Sequence, residues 1–119
     1  MTAPRPLASA ALALALGGAA LPAGAAAAPA IAGLEAGRAV WLGTCQACHA
    51  EPDSGAPQLG DAAAWRARAA RGRDPLYAHA MHGFTGPGGD RMLARGGNPA
   101  LGDGELRAAV DYMLAASGQ

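Results

Sequence analysis

Five consecutive residues, Cys45-Gln46-Ala47-Cys48-His49, constrain this protein more than any other stretch. They read C-x-x-C-H, the attachment pattern for a c-type haem. Two thiols must each form a thioether to one haem vinyl group, and an imidazole must reach the iron from the same side. Residues three and four apart share a face of a helix, so Cys45, Cys48 and His49 can converge on one edge and one face of a flat macrocycle. His49 is then the proximal iron ligand. Three other uses of these residues stay open on the motif alone. They are a thioredoxin-like dithiol pair, a zinc site drawing on His79 and His82, and a Cys45–Cys48 disulfide.

Compartment bears on that choice. The first thirty or so of the 119 residues carry a single charge, Arg5. An apolar run of about 15 residues, Leu7 to Leu21, is followed by Pro22 and several Ala-x-Ala sequences. Residues 1–30 are expected to be a secretory signal peptide, with cleavage at about 25–30 and residues 31–119 as the mature domain. The run falls short of the roughly 20 residues of a membrane span, although an uncleaved anchor is the alternative. Export would place the protein in the periplasm, where haem attachment is possible.

The mature domain has eight Arg, no Lys, and nine Asp and Glu. That balance gives no basic patch for nucleic acid. With so few aromatic residues its core is thin, and a covalently held apolar macrocycle would supply missing buried surface.

Helical periodicity predicts four helices. The first runs from Gly33 or Leu34 to Thr44, with Gly37 marking a close helix crossing. The second runs from Asp61, an N-cap, to Arg71. The third starts at Asp74-Pro75 and ends near Gly83. The last spans Asp103 to Ala116. Between Gly83 and Gly104 lies a glycine-dense stretch expected to be irregular. The loop after His49 must offer an acceptor for the second nitrogen of that ring, and Pro57 still has its carbonyl. Arg66, Arg68, Arg71 and Arg73 ring the outside of the second helix, and one of them, with the Trp65 indole, is a candidate partner for the haem propionates.

A ligand opposite His49 can come from Met81, Met92, Met113, His79 or His82. Met113 and Met81 fall on apolar helix faces and the histidines lie at a helix surface or end. Met92 sits in the glycine-dense stretch, where packing explains it poorly, and its thioether is a good soft donor for iron. Ser54 and the three histidines form no hydrolytic triad, and no small-molecule substrate is implied.

Taken together the residues resemble class I c-type cytochromes, and the short bacterial cytochrome c5 branch in particular. Beyond the attachment motif, Gly55-Ala56-Pro57-Gln58-Leu59-Gly60-Asp61 is similar to that branch's G-A-P-x-[IL]-G-D. Ala64-Trp65-Arg66-Ala67-Arg68 through Gly72 is similar to A-W-x-x-R-x-x-x-G, and Gly83-Phe84-Thr85-Gly86 to G-F-x-G. Leu76-Tyr77 and Ala108-Ala109-Val110-Asp111-Tyr112-Met113 also match. The resemblance implies an all-α class I cytochrome c fold, about four helices around one covalent haem c and its iron. It implies Met92 as the distal ligand, the Pro57 carbonyl on the His49 ring, and Gly37 and Trp41 packed against Tyr112. The branch usually shows M-P-P-K-G-G where this sequence has Met92-Leu93-Ala94-Arg95-Gly96-Gly97. The resemblance implies a one-electron carrier, monomeric, working between redox proteins of the periplasm or inner membrane, with no enzymatic step. Loss of both prolines motivates an alternative, a haem-based small-ligand binder or weak peroxidase with a labile Met92.

Overall fold

The computed structural model describes residues 1–4 and 28–119. Apart from its two ends, the expected export signal lies outside the described residues. Helix α1, Ala28–Val40, begins about five residues before the predicted start and so overlaps the segment assigned to the signal. Alanine-rich sequence explains the earlier start, since Ala is the strongest helix former and a proline, here Pro29, is tolerated in a first turn.

Helix α1 does not stop at the attachment motif. It passes into one wider π-helical stretch, Trp41–Cys45, closed by the Gln46 N–H donating to Trp41 O. It then returns to α geometry as α2, Gln46–His49. A π turn inserts a residue into the helical count and re-aims the side chains beyond it, a device common at functional sites.

Helix α3 spans Ala62–Ala69, with the Asp61 carboxylate accepting the Ala64 N–H at 3.0 Å as N-cap. It is shorter than predicted because the helix breaks at Gly72, whose φ of +90° favours glycine. Helix α4 spans Arg73–His82 and takes Gly72 rather than Asp74 as N-cap, so Pro75 falls at the third helical position. Helix α5 spans Asp103–Ala116, and the Glu105 side chain accepts the Gly102 N–H at 2.8 Å.

The frame is the crossing of α1 over α5. A Cβ on Gly37 would lie 2.0 Å from Ala108 O and 2.9 Å from Tyr112 Cβ, so only glycine allows the two backbones to approach this closely. One turn on, the Trp41 and Tyr112 rings meet with centroids 5.9 Å apart. Helix α5 supplies most of the buried apolar residues: Leu106, Ala109, Met113 and Leu114. Trp65 of α3 packs into the same cluster, with Cys45, Leu59 and Leu76 at its border. Met113 is thus a core residue, as its helical register indicates. Tyr77 of α4 donates to Asp111 of α5 at 2.7 Å, and Arg73 forms an ion pair with the same carboxylate.

The stretch from Gly83 to Gly104, expected to be irregular, holds a small antiparallel ribbon. Strand β1, Phe84–Thr85, pairs with β2, Arg91–Met92, with Phe84 opposite Met92. Turn hydrogen bonds at Gly86 and Gly89 close it. A 3-10 turn, Ala94–Gly97, comes next. The fold remains mostly helical.

Candidate functional site: the attachment motif and its two flanks

The C-terminal end of α2 has carbonyls that no further turn can satisfy, and the following loop supplies their donors. Cys48 O accepts Ser54 Oγ–H at 2.6 Å and the Glu51 N–H at 3.2 Å. His49 O accepts the Leu59 N–H at 2.9 Å. The side-chain amide of Gln58 lies within hydrogen-bonding reach of Cys48 O, Glu51 O and Ala56 O. Its own backbone carbonyl accepts the Trp65 indole N–H at 2.8 Å. Ser54 and Gln58 are site-building residues that sequence reasoning missed. Two polar residues inside a Pro- and Gly-rich loop just past a helix end were the available signal.

This shell encloses His49, which is 7% exposed. Its Nδ1 stands 2.7 Å from Pro57 O. A carbonyl can only accept, so Nδ1 carries the proton and Nε2 keeps its lone pair. Trp65 packs against the imidazole, ring centroids 6.0 Å apart. Burial pushes the His49 pKa down, the Pro57 hydrogen bond opposes this, and the positive charge of Arg68 adds to the depression. The ring is therefore a neutral imidazole at pH 7, the form a metal requires.

Cys45 is half-buried, Cys48 is exposed, and both are free thiols. Burial pushes the Cys45 thiol up. A dithiol exchange centre wants the opposite shift, so this environment disfavours the thioredoxin-like option. Among the described residues no group of three or more His, Cys, Asp and Glu is placed to hold a metal ion, which removes the basis for a zinc site. The donor set suits a haem: two unpaired thiols for thioethers, and one neutral, oriented imidazole on the same helical turn.

On the other flank Met92 is half-buried at the end of β2. Gly83 lies against it so closely that a Cβ there would meet Met92 O at 3.0 Å and Ala94 N at 3.1 Å. The following turn reaches back to the attachment helix. Asn98 Nδ2 donates to Thr44 Oγ1 at 3.3 Å, and a Cβ on Gly96 would meet Thr44 Cγ2 at 2.8 Å. Thr44 adjoins Cys45, so the Met92 segment and the motif share a boundary. Arg95 donates to Leu101 O and to the Asp103 carboxylate, each at 2.7 Å. His79 stacks on Phe84, centroids 3.8 Å apart, and is occupied there. Arg68 is exposed and donates to Ala64 O at 2.8 Å on its own helix.

A sequence-family profile described as cytochrome C oxidase, cbb3-type, subunit III matches residues 32–113. Cytochrome c-555 of Chlorobaculum thiosulfatiphilum is 40% identical over 82 residues, 69% of this protein and 94% of that one. Cytochrome c5 of Ectopseudomonas mendocina is 38% identical over 71 residues, 58% of this protein and 76% of that one. The cytochrome c in a crystal structure of an electron transfer complex of nitrite reductase with cytochrome c superposes with a TM-score of 0.60 at 40% identity, covering 69% of this protein and 94% of that one. A profile match over most of the sequence, and a cytochrome c-555 relative 40% identical and covered over 94% of its length, show that the protein belongs to the class I c-type cytochromes, electron-transfer proteins that carry covalent haem c and its iron.

Proposed function

We propose that this protein is a periplasmic electron carrier whose haem is joined to Cys45 and Cys48, with iron held between His49 and Met92. The carrying observation is the His49 ring itself: buried, neutral, and fixed through Nδ1 on Pro57 O so that Nε2 is the coordinating nitrogen. When bound, the haem iron supplies a one-electron Fe(III)/Fe(II) couple. The protein's part is to orient the imidazole, offer Met92 as a soft donor that raises the potential, and keep water from most of the ring. Of the candidate propionate partners, Arg68 is exposed on α3 and its charge acts on His49, which supports it over Trp65. The Trp65 indole N–H already has the Gln58 carbonyl, and its role is to pack the imidazole.

The nitrite reductase complex in which the similar cytochrome c was solved supports a redox protein as partner here. The protein is near charge balance, which supports weak, transient docking around the exposed Cys48 edge with local Arg contacts. The small-ligand alternative needs Met92 to leave the iron readily. The contacts that hold the segment after Met92 favour the carrier instead.

Two measurements test this reading. Mass spectrometry of purified protein gives a polypeptide heavier by one haem that survives acid–acetone extraction. The ferric protein at neutral pH shows the far-red Met–Fe(III) charge-transfer band, and Met92→Ala keeps the haem while losing the band and lowering the potential. A wild-type protein without that band has another distal ligand or none.

A further inference from the structure

One residue after Met92 combines an unfavourable backbone with an unusually complete set of contacts. Arg95 is, among the described residues, the one non-glycine with a left-handed backbone, φ 57°. That conformation is unfavourable for an L residue, and it persists where the surroundings impose it. At Arg95 they do so from two sides. Its backbone carbonyl accepts the Asn98 N–H at 3.0 Å, and Asn98 in turn bonds Thr44 beside the attachment motif. Its guanidinium donates from one nitrogen to Leu101 O and from another to Asp103 Oδ1. Asp103 is the first residue of α5, the helix locked across α1 at Gly37. The guanidinium therefore ties the segment to the first residue of α5 and to the loop that leads into it. The tie is transmitted toward Met92 by one tight turn, in which the Gly96 N–H donates to Leu93 O at 3.0 Å. Leu93, 57% exposed, gives no comparable hold, and neither 93 nor 94 is a proline that would stiffen the backbone by itself.

We propose that Arg95 is a positioning residue for Met92: its fork onto Leu101 O and Asp103 holds the distal segment so that Met92 stays on the iron. The inference rests on Met92 being the distal ligand. A planar fork suits this role better than a point charge, because its two bonds fix direction as well as distance.

The test is an imidazole titration of the ferric holoprotein at neutral pH, following loss of the far-red band. Arg95→Gln is expected to halve the band at an imidazole concentration about tenfold lower than wild type, the scale of one charged hydrogen bond. Asp103→Asn, at a carboxylate 61% exposed, leaves the Leu101 bond and is expected to shift it about threefold. Arg95→Lys is expected to recover part of the loss. Arg73→Gln, which breaks the ion pair to Asp111 at the first residue of α4, is expected to lower the denaturant midpoint without moving the imidazole titration. If Arg95→Gln and Asp103→Asn both titrate like wild type, or Arg73→Gln shifts the titration as much as Arg95→Gln does, Arg95 does not position Met92. If Arg95→Gln yields no folded holoprotein, Asp103→Asn decides by the same criterion. A wild-type protein lacking the band defeats the Met92 reading, and this proposal with it.

Discussion

The two flanks of the proposed haem site are held in different ways. On the proximal side the hydrogen bonds around His49 come from within about a dozen and a half consecutive residues, Cys48 to Trp65, and most are to backbone carbonyls. The Gly60 N–H on Ser117 Oγ, and Trp65 packed on Met113 and Leu114, seat this loop on α5. On the proposed distal side Met92 stands on a ribbon of two-residue strands, and the segment after it is steadied by side-chain bonds to other elements of the fold. The partners include Thr44, reached from Asn98, and Asp103, reached from Arg95. A short loop closes on itself at little entropic cost and keeps its shape through small changes elsewhere. A segment held by a few side-chain bonds to other elements is only as firm as the frame on which those elements stand. Retention of the proximal ligand should therefore be robust, and retention of the distal ligand adjustable.

The sharpest break between the flanks is at the attachment itself. Cys45→Ser with Cys48→Ser is expected to abolish covalent haem by mass spectrometry, whereas Met92→Ala leaves it in place. Next in size is Gly37→Leu, which drives a bulky group into Ala108 O and prises α1 from α5. Overpacking of this kind costs about 3 kcal/mol. Because Thr44 and Asp103 both lie on that frame, the far-red band should weaken before the helices unfold, and a denaturant titration read by band and by helicity would show the order. Gln58→Ala removes a hub of the proximal loop and is expected to cost about 1–2 kcal/mol in unfolding while leaving imidazole affinity unchanged. A gain in imidazole affinity in that variant would contradict the separation of the two sides.

The smallest effect is on pH dependence. The hydrogen bond and then the charge of Arg95 hold the Asp103 carboxyl below the usual carboxylate range. A carboxylate with a depressed folded pKa stabilises fully above its ordinary value near pH 4 and loses that contribution as pH falls through the folded value. The stability gap between wild type and Asp103→Asn should thus be constant from pH 7 to about 5 and close in stronger acid.

The same contrast explains how far the sequence can be read. The proximal side is legible because its parts are near neighbours: the C-x-x-C-H turn, a loop marked by Pro and Gly, the Asp61 cap. Gly37 is legible too, since a glycine inside a helix points to a crossing, and the structure places Ala108 against it. The π-helical turn at Trp41–Cys45 leaves no mark in composition, because it depends on how α1 packs, not on local preference. The ribbon at Phe84 and Met92 reads as irregular in sequence, its strands being too short for an alternating pattern. Gln58 and Arg95 look like ordinary polar surface residues, and their partners appear only in the folded molecule.

The most direct test of the His49/Met92 clamp is the ferric spectrum of intact protein at neutral pH, compared with Met92→Ala and Gln58→Ala. The far-red charge-transfer band is expected in wild type, lost in Met92→Ala with haem still attached, and preserved in Gln58→Ala. Absence of the band in wild type, or its survival in Met92→Ala, would contradict the assignment of His49 and Met92 as the two ligands.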